Sequence, residues 1–285
     1  MTFSVVIPTY NEEKRLGACL AAVMGGTEVP DEIIVADGNS MDRTLEVAAG
    51  FGVRTVHNPK RHAAGGRNAG LAAAKGDVIV FLDADCVPDV NWLKEIKHAF
   101  LCEDIDGLGT YIEPAEPENK YEDFWGTLSL KVIMSFDEDP YYVTRKKLNE
   151  AFITASCAYS KKLLLELGGF SDWFANNAED IDLCWRALDA GARLKYEPRA
   201  KIKAHSPTDL KGIKKKGYRN GVSSSKLQKV YGKFFNIDFK NYKRLGKSCC
   251  NMLRGEKDAY LYVIEILWHL MGKYAGSFKA GVINL

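Results

Sequence analysis

Short apolar runs alternate with amphipathic stretches in the first part of the chain. The runs are rich in Val, Ile and Phe, and they predict strands at FSVVIP, EIIVAD, VRTVH and VIVFLD. Between them, the spacing of apolar positions predicts helices over residues 13–24, 41–51 and 67–75. Strands that alternate with helices are typical of a parallel sheet covered by helices on both faces. The pattern therefore predicts an α/β fold.

Polar segments follow three of these strands directly. They are PTYNE (Pro8 to Glu12), DGNSMD (Asp37 to Asp42) and DADC (Asp83 to Cys86). Ligands of open α/β sheets bind beyond the carboxyl ends of the strands, so we expect these segments to share one rim. A dinucleotide-binding Rossmann site is disfavoured, because the first turn lacks the G-x-G-x-x-G that brings backbone close to a pyrophosphate.

Asp83 and Asp85 stand on either side of Ala84 at the end of a strongly apolar strand. Two carboxylates this close need a cation, a shared proton or exposure to water. Mg²⁺ and Mn²⁺ are usually held by one or two carboxylates together with substrate phosphates, which favours a nucleotide diphosphate bound through a divalent cation. A pair that merely caps the loop before a helix starting near Asn91 is the alternative, and the pair alone leaves the two interpretations even.

A second acidic cluster consists of Glu179, Asp180 and Asp182 at the start of a predicted helix. Transfer of a group from a diphosphate to a hydroxyl needs a base for the acceptor proton, separate from the groups that bind the leaving diphosphate. The cluster can supply that base. Acidic residues also gather in a first helical turn because the helix dipole favours them there, which explains Glu179 or Asp182 well enough.

Charge divides the chain near Arg193. Residues 1–192 carry 18 Lys and Arg against 31 Asp and Glu, whereas residues 193–247 carry 17 against 3. The basic segment predicts a solvated face, an anionic membrane surface or RNA binding. No RNA-recognition motif accompanies it, so we expect no nucleic acid as a partner. An anionic membrane surface contacted through residues 211–247 is retained as a candidate partner.

The segment DAYLYVIEILWHLMGKYAGSF predicts an amphipathic helix that is too interrupted to span a bilayer. Its polar residues Glu265, His269 and Lys273 are four apart and share one face. Packing on the rest of the protein is favoured over insertion into a membrane. The seven cysteines have no C-x-x-C spacing, and the start of the chain lacks the features of a signal peptide. We therefore expect a cytoplasmic protein, or one peripheral on the cytosolic face of a membrane.

Four segments in order, VVIPTYNEE, EIIVADGNSMDRT, GGRNAGLAAAKGDVIVFLDADC and GGF…EDIDLCWR, resemble the inverting glycosyltransferases of family 2. The resemblance covers about residues 3–205 and implies the GT-A fold, a mostly parallel central sheet flanked by helices. It implies a catalytic domain over 1–205, with nucleotide-sugar binding in about 1–110 and the acceptor side and base in 111–205. Residues 206–285 would form a basic, helical C-terminal extension.

The resemblance also implies a role for each matching position. Residues expected to bind the nucleotide-sugar are Pro8, Thr9, Tyr10, Asn11, Glu12, Asp37, Arg67, Asp83 and Ala84. Ligands expected for Mn²⁺ or Mg²⁺ are Asp85, Asp83 and His205, although a solvent-facing histidine at a strand end is an equal alternative for the last. Asp180 would be the base that deprotonates an acceptor hydroxyl.

On the acceptor side we expect Trp173, in the loop GGFSDWF, and Glu179, whereas Trp185 is expected in the core. Residues 111–150 resemble no regular element and are interpreted as an acceptor-side insertion. The leading hypothesis is a metal-dependent transferase that uses a UDP-sugar or GDP-sugar and a hydroxyl of a glycan or lipid-linked acceptor. The alternatives are a polyprenyl-phosphate acceptor and a non-catalytic protein that binds a nucleotide, a membrane or nucleic acid.

Overall fold

The structure, a computed structural model, describes residues 1–132, 138–175, 177–232 and 237–281, and the side chains of these except 130–132 and 237–241. Of the segments singled out in the sequence, residues 133–137, 176 and 233–236 lie outside the described ones. The chain forms two compact units. The first comprises Met1–Ala115, Ile133–Ala175 and Glu179–His205, and the second comprises Glu116–Val132, Asn176–Ala178 and Ser206–Leu285.

One mixed sheet forms the centre of the first unit. Its strands are β1 (Phe3–Thr9), β2 (Glu32–Asp37), β3 (Arg54–His57), β4 (Val78–Leu82), β5 (Cys86–Pro88), β6 (Gly107–Pro114), β7 (Tyr141–Val143), β8 (Ser156–Ser160) and β9 (Leu194–Ala204). The spatial order is β3-β2-β1-β4-β8-β6-β9-β5, with β7 paired to β9. Pairs among β1 to β4 are parallel, whereas β8 runs antiparallel to β4 and β6. The predicted α/β class is confirmed, and all four predicted strands are present.

The central strands β1 and β4 are buried on both faces of the sheet, and their successive residues serve opposite faces. In β1, Val5 and Ile7 join one core and Val6 joins the other. In β4, Val80 lies in the first core and Phe81 in the second. Strands covered on both sides need apolar residues at every position, which is why the sequence shows continuous apolar runs instead of an alternating pattern.

Helices of the first unit cover these two faces. They are α1 (Leu16–Met24), α2 (Thr44–Gly50), α3 (Ala63–Ala73), α4 (Trp92–Cys102), α6 (Lys161–Glu166) and α7 (Glu179–Asp189), with 3-10 turns at Leu148–Glu150 and Asp172–Phe174. Helix α4 begins after Asn91, as predicted. Helix α3 begins four residues before the predicted Arg67, because Gly65 and Gly66 are part of its first turn. A Cβ on Gly66 would come within 2.9 Å of Pro8, so this glycine allows α3 to approach β1 closely.

The prediction that residues 111–150 contain no regular element was wrong. Strand β6 extends to Pro114, and helix α5 occupies Lys120–Val132. Within the second unit, the ring of Phe124 packs edge-on against Tyr262 with centroids 4.6 Å apart, and Lys216 lies 4.9 Å over the ring of Trp125. These contacts explain why residues 116–132 belong to the C-terminal unit, although the predicted boundary placed everything before residue 206 in the catalytic domain.

The rest of the second unit is helical, with α8 (Leu210–Tyr231), α9 (Ile237–Leu253) and α10 (Ala259–Ala280). The predicted helical C-terminal region is therefore confirmed. The polar stripe of α10 does not face water, because Glu265 and Lys273 are only 5% and 2% exposed. Among the described residues, no helix is long and apolar enough to cross a membrane.

We predict that Gly70→Ala destabilises the first unit. The new methyl group would overlap the Val6 side chain of β1, and crowding a packed core costs about 1–3 kcal/mol. Thermal unfolding of the variant should therefore begin at a clearly lower temperature. Gly50→Ala is the matched control, because nothing lies within 4 Å of its Cβ position, and it should leave the melting temperature unchanged or slightly higher. Equal melting temperatures for both variants would contradict the close packing of α3 on β1.

Candidate active site

The loops after β1 and β2 are tied together by side-chain hydrogen bonds. Asn11 Oδ1 accepts from the Met41 N–H at 2.8 Å, and Ser40 Oγ accepts from the Asn11 N–H at 2.8 Å. Asn11 adopts the left-handed backbone conformation (φ 55°), which asparagine tolerates better than most residues. The two polar segments therefore form one connected rim, as their positions after neighbouring strands predicted.

Asp37 is a buried anchor of this rim. One carboxylate oxygen accepts from the N–H groups of Asn39 and Ser40 at 2.8 and 2.9 Å, and the other accepts from the hydroxyls of Ser40 and Thr9 at 2.5 and 3.3 Å. The side chain therefore shapes the turn, and it is only 4% exposed. Thr9 is buried beside it, whereas Tyr10 is half exposed and open to a ligand.

Asp83 and Asp85 follow β4 at the same edge of the sheet. The Asp83 N–H donates to the Ala155 carbonyl, and the Asp83 carbonyl accepts from the Cys86 N–H, so the turn between β4 and β5 is fixed by backbone hydrogen bonds. The Asp83 side chain is 33% exposed, while Ala84 is buried between the two acids. The turn therefore presents carboxylates to the rim and keeps the residue between them in the core.

His205 is brought beside Asp85 by the pairing of β5 with β9. Cys86 lies opposite Ala204 in that antiparallel pair, and the His205 N–H donates to the Asp85 carbonyl at 3.2 Å. The His205 Nδ1 atom is buried and has no hydrogen-bond partner among the described residues. An enclosed imidazole nitrogen of this kind fits a metal ligand better than a solvent-facing histidine, because a buried acceptor without a partner is costly.

The arrangement fits an open metal site and not a closed one. Among the described residues, no group of three or more His, Cys, Asp and Glu side chains converges on a point that could hold a metal ion. Mg²⁺ and Mn²⁺ bound with a nucleotide need only one or two protein carboxylates, because phosphate oxygens and water complete their coordination. The carboxylates of Asp83 and Asp85 match that requirement, and His205 follows the strand that pairs beside Asp85.

Arg67 connects the D-x-D turn to the second acidic cluster. Its guanidinium donates through Nη2 to Asp83 Oδ1 at 2.6 Å and through Nη1 to Glu179 Oε1 at 2.8 Å, and the side chain is 2% exposed. Burial alone lowers the pKa of this guanidinium, but the two carboxylates outweigh burial and raise that pKa above its ordinary value. Sequence reasoning assigned Arg67 to the nucleotide and did not foresee this bridge. The arginine ahead of Asn68 was the available signal.

Asn68 and Phe170 hold this bridge in place. The Asn68 amide donates to the Phe170 carbonyl and accepts from the Phe170 N–H, both at 2.8 Å. The Phe170 ring lies 5.6 Å from the Arg67 guanidinium carbon, within the range of a cation–π contact. Helix α3 is thereby fastened to the loop that precedes α7, so Arg67 reaches both carboxylates with its backbone already fixed.

Asp180 lies next to Glu179 in the first turn of α7. Burial of its carboxyl group and the negative charge of Glu179 raise the pKa of Asp180 to about 7, against the hydrogen bond from the Ile181 N–H and the charge of Arg67. A carboxyl group with a pKa near neutrality is suited to accept and release protons at physiological pH. Asp182, in contrast, accepts from Arg186 Nε at 2.8 Å and has a structural role in the helix.

Glu12 is electrostatically coupled to the D-x-D turn. Burial raises the pKa of Glu12 to about 7, and the negative charges of Asp85 and Asp83 raise it as well. The sequence placed Glu12 in the base and ribose pocket. The structure also brings its carboxyl group close enough to Asp85 for their charges to interact. Burial and these neighbouring carboxylates therefore favour the protonated form of Glu12, against the charge of Arg15.

The two tryptophans near α7 have different environments. Trp185 is 1% exposed, which confirms its predicted place in the core. Trp173 is 45% exposed, in the 3-10 turn Asp172–Phe174, where the neighbouring Asp172 forms an ion pair with Lys60. An exposed indole here is available to a ligand, and its expected contact with an acceptor stays a prediction.

Comparison with known proteins gives a consistent result. The family model described as glycosyl transferase family 2 matches residues 4–166. A pre-mycofactocin glycosyltransferase of Mycobacterium tuberculosis is 30% identical over 230 residues, which is 78% of this chain and 46% of the relative. Glycosyltransferase AglE of Haloferax volcanii is 26% identical over 76% of this chain and 71% of its own. The chain thus spans about half the length of the M. tuberculosis relative.

Solved structures share the fold. Glucosyl-3-phosphoglycerate synthase from M. tuberculosis, in complex with Mn²⁺, UDP and glucosyl-3-phosphoglycerate, superposes with a TM-score of 0.58 at 20% identity, covering 80% of this chain and 78% of that one. A mannosyltransferase from Pyrobaculum calidifontis, in complex with GDP-Man and Mn²⁺, has a TM-score of 0.58 at 19% identity, covering 99% and 76%. The GT-A fold expected from the sequence is therefore confirmed.

We predict that Arg67→Met strongly destabilises the first unit. The substitution leaves Asp83 and Glu179 without their shared cation, and removing one partner of a buried ion pair costs about 3–5 kcal/mol. Urea unfolding followed by tryptophan fluorescence would measure the loss. Arg54→Met is the control, because Arg54 is half exposed and its nearest carboxylate, on Glu32, is 3.9 Å away, so its loss should cost less than about 1 kcal/mol. Similar losses for both variants would contradict the bridge.

Proposed function

The chain belongs to glycosyltransferase family 2, and we propose that it transfers a sugar from a UDP-sugar or GDP-sugar to a hydroxyl group of a glycan or lipid-linked acceptor. The observation that carries the proposal is the Arg67 bridge. It joins Asp83 of the D-x-D turn to Glu179, the neighbour of Asp180, within one buried network. A diphosphate-binding group and a candidate base therefore lie in the same site of the first unit.

The donor would bind along the rim formed by the loops that follow β1, β2 and β4. Tyr10 and the loop held by Asn11 would contact the base and ribose. Asp37 would support this contact through its hydrogen bonds to the turn after β2. Asp85, with Asp83 and His205, would hold Mn²⁺ or Mg²⁺. When bound, this cation neutralises charge on the departing diphosphate. Related structures that contain Mn²⁺ with UDP or GDP-Man support the assignment of donor class and metal.

Asp180 would act as the base. Its carboxylate takes the proton of the acceptor hydroxyl, the hydroxyl oxygen forms a bond to the anomeric carbon of the donor, and the bond from that carbon to the diphosphate oxygen breaks. In-line attack from the face opposite the diphosphate inverts the anomeric configuration. The pKa of about 7 supports this role, because the group is substantially ionised at neutral pH and basic enough to accept a proton.

The acceptor side would be formed by Trp173 and Glu179. An exposed indole can stack on the face of a sugar ring, and Trp173 has the exposure that this needs. A lipid-linked acceptor would bring the protein to a membrane surface. The basic residues of 211–247 would then be attracted to anionic lipids, at about 1 kcal/mol for each Lys or Arg near the surface.

We predict that Asp180→Asn lowers the rate of sugar transfer by at least about a hundredfold, because positioned bases contribute factors of this order. The measurement is release of UDP or GDP from the matching nucleotide-sugar in the presence of Mn²⁺ and a hydroxyl acceptor. Asp182→Asn is the control, because Asp182 pairs with Arg186 within the helix. A polyprenyl phosphate is already ionised and needs no base, so an unchanged rate for Asp180→Asn would favour that acceptor class and remove the base assignment.

We predict that kcat/KM rises with pH and levels off above about pH 7. The folded pKa of Asp180 is raised above its ordinary 3.8, so the carboxyl stays protonated until about pH 7 and only the ionised form accepts a proton. At pH 6 about a tenth of the molecules hold the active form. A Glu12→Gln variant removes the other carboxyl group whose pKa is raised to about 7. Its pH profile should keep the same midpoint, because that midpoint belongs to Asp180. A flat profile between pH 5 and 8 would contradict the assignment.

We predict that Mn²⁺ strengthens nucleotide binding and that Asp85→Asn abolishes most of this gain. Isothermal titration with UDP and with GDP, each with and without Mn²⁺, measures the effect and identifies the preferred base. Asp104→Asn is the matched control, because its side chain is 93% exposed and paired with Arg193 outside the site. Equal Mn²⁺ dependence in the native chain and Asp85→Asn would show that the D-x-D turn does not bind the ion.

A further inference from the structure

The outer face of α10 carries four exposed apolar or aromatic side chains, one of which, Tyr274, is hydrogen-bonded through its hydroxyl to Tyr242 of α9. The four residues are Leu267, Met271, Tyr274 and Phe278, with exposures of 44%, 54%, 53% and 92%. Their spacing of four, three and four places them on one side of the helix. Exposed apolar patches of this kind mark surfaces that contact another protein or a membrane. We call these four residues the α10 stripe.

The buried residues of α10 are of two kinds. Glu265, Gly272, Lys273, Gly276 and Ser277 are small or polar, whereas Leu261, Ile266 and Leu270 are apolar. Helix α10 therefore buries polar residues together with part of its apolar ones, while the α10 stripe stays exposed. Periodicity identified the two faces correctly, but it did not indicate which one faces solvent.

Close packing against α8 accounts for the small inner residues. A Cβ on Gly272 would overlap the Tyr218 carbonyl, and a Cβ on Gly221 would overlap the His269 carbonyl. Ser225 donates to the Lys273 carbonyl at 2.8 Å and lies 3.0 Å from the Ser277 hydroxyl. Each helix carries a small-x-x-x-small pair at this contact, Gly217 with Gly221 and Gly272 with Gly276.

This mode of packing is typical of helices in an apolar environment. Where lipid or other apolar surroundings remove the hydrophobic drive between helices, close backbone approach through glycines and hydrogen bonds between helices hold them together. In α8 and α10, the closest contacts between the helices are made at glycines and serines, and the four residues of the α10 stripe remain exposed. The packing of α8 on α10 therefore leaves the α10 stripe exposed.

Basic residues flank the end of the stripe. The contacts of Ser225 with Lys273 and Ser277 place the last turns of α8 and α10 side by side, so Lys226 and Lys279 lie near Phe278. Burial lowers the pKa of Lys226, and the positive charge of Lys279 lowers it further, which indicates that the two ammonium groups interact. An anionic surface would relieve the repulsion between these like charges.

We propose that the α10 stripe docks on an anionic lipid bilayer, with Leu267, Met271, Tyr274 and Phe278 inserted among the lipids and Lys226 and Lys279 at the headgroups. Helix α10 would lie in the plane of the interface, as helices with one apolar and one polar face do. The charge at the end of the stripe favours anionic lipid over a second copy of this chain, whose stripe would bring the same lysines together. The proposal deepens the membrane contact proposed above and does not depend on the transfer reaction.

Vesicle flotation tests the proposal. The full chain should float with vesicles of phosphatidylcholine containing phosphatidylglycerol, and more weakly with phosphatidylcholine alone. The double variant Leu267→Ser/Phe278→Ser should lose binding by on the order of tenfold or more, because two large apolar side chains no longer insert. Lys279→Gln should weaken binding to the anionic vesicles about fivefold and leave binding to neutral vesicles unchanged.

The matched control is Leu101→Ser/Leu165→Ser, which removes two leucines that are 62% and 59% exposed on α4 and α6. This variant should bind vesicles like the native chain. Release of nucleotide from the donor in solution should be the same for the α10 double variant and the native chain, so that loss of docking and loss of catalysis are separated. Equal vesicle binding by the native chain and the α10 double variant would overturn the proposal. The proposal would also be overturned if light scattering showed a dimer for the native chain and a monomer for the α10 double variant, and the native chain did not bind vesicles.

Discussion

The candidate site depends on one buried cation, the guanidinium of Arg67. The carboxyl groups of Glu12, Asp83, Asp85, Glu179 and Asp180 lie at or near this rim, and gathering like charges in a partly buried place is unfavourable. Arg67 offsets two of them directly with bonds of 2.6 and 2.8 Å. The planar guanidinium suits this task, since it donates to two carboxylates in fixed directions. The charge it leaves uncompensated is what makes the rim suitable for a divalent ion.

Two carboxyl groups of the rim, on Glu12 and Asp180, have a raised pKa, and they lie beside different neighbours. Glu12 lies on the side of Asp85, where a bound cation would favour its ionised form. Asp180 lies beside Glu179, which Arg67 holds, on the side proposed for the acceptor. The proposed donor and acceptor sites would therefore differ in their electrostatics within one rim. That division matches the two needs of transfer, a stabilised leaving group and a base for the incoming hydroxyl.

The helices of the second unit pack differently from the elements of the first. In the first unit the sheet has apolar residues on both faces, and helices cover them. In the second, glycines and serines bring α8 and α10 into close contact, and four large residues of α10 remain exposed. An exposed stripe of this kind fits the lipid contact proposed for it.

The strands, the α/β class and the acidic residues beyond β1, β2 and β4 were determined by the sequence, because apolar runs and the residues that end them are local features. The tertiary structure alone decided the partners of Arg67, since Glu179 is 112 residues away and the two meet only after α3 and α7 pack on the same face. It also decided the orientation of α10. Periodicity divides a helix into two faces, but only the neighbouring helix determines which face is buried, and here Gly221 of α8 packs against the turn of α10 between His269 and Lys273.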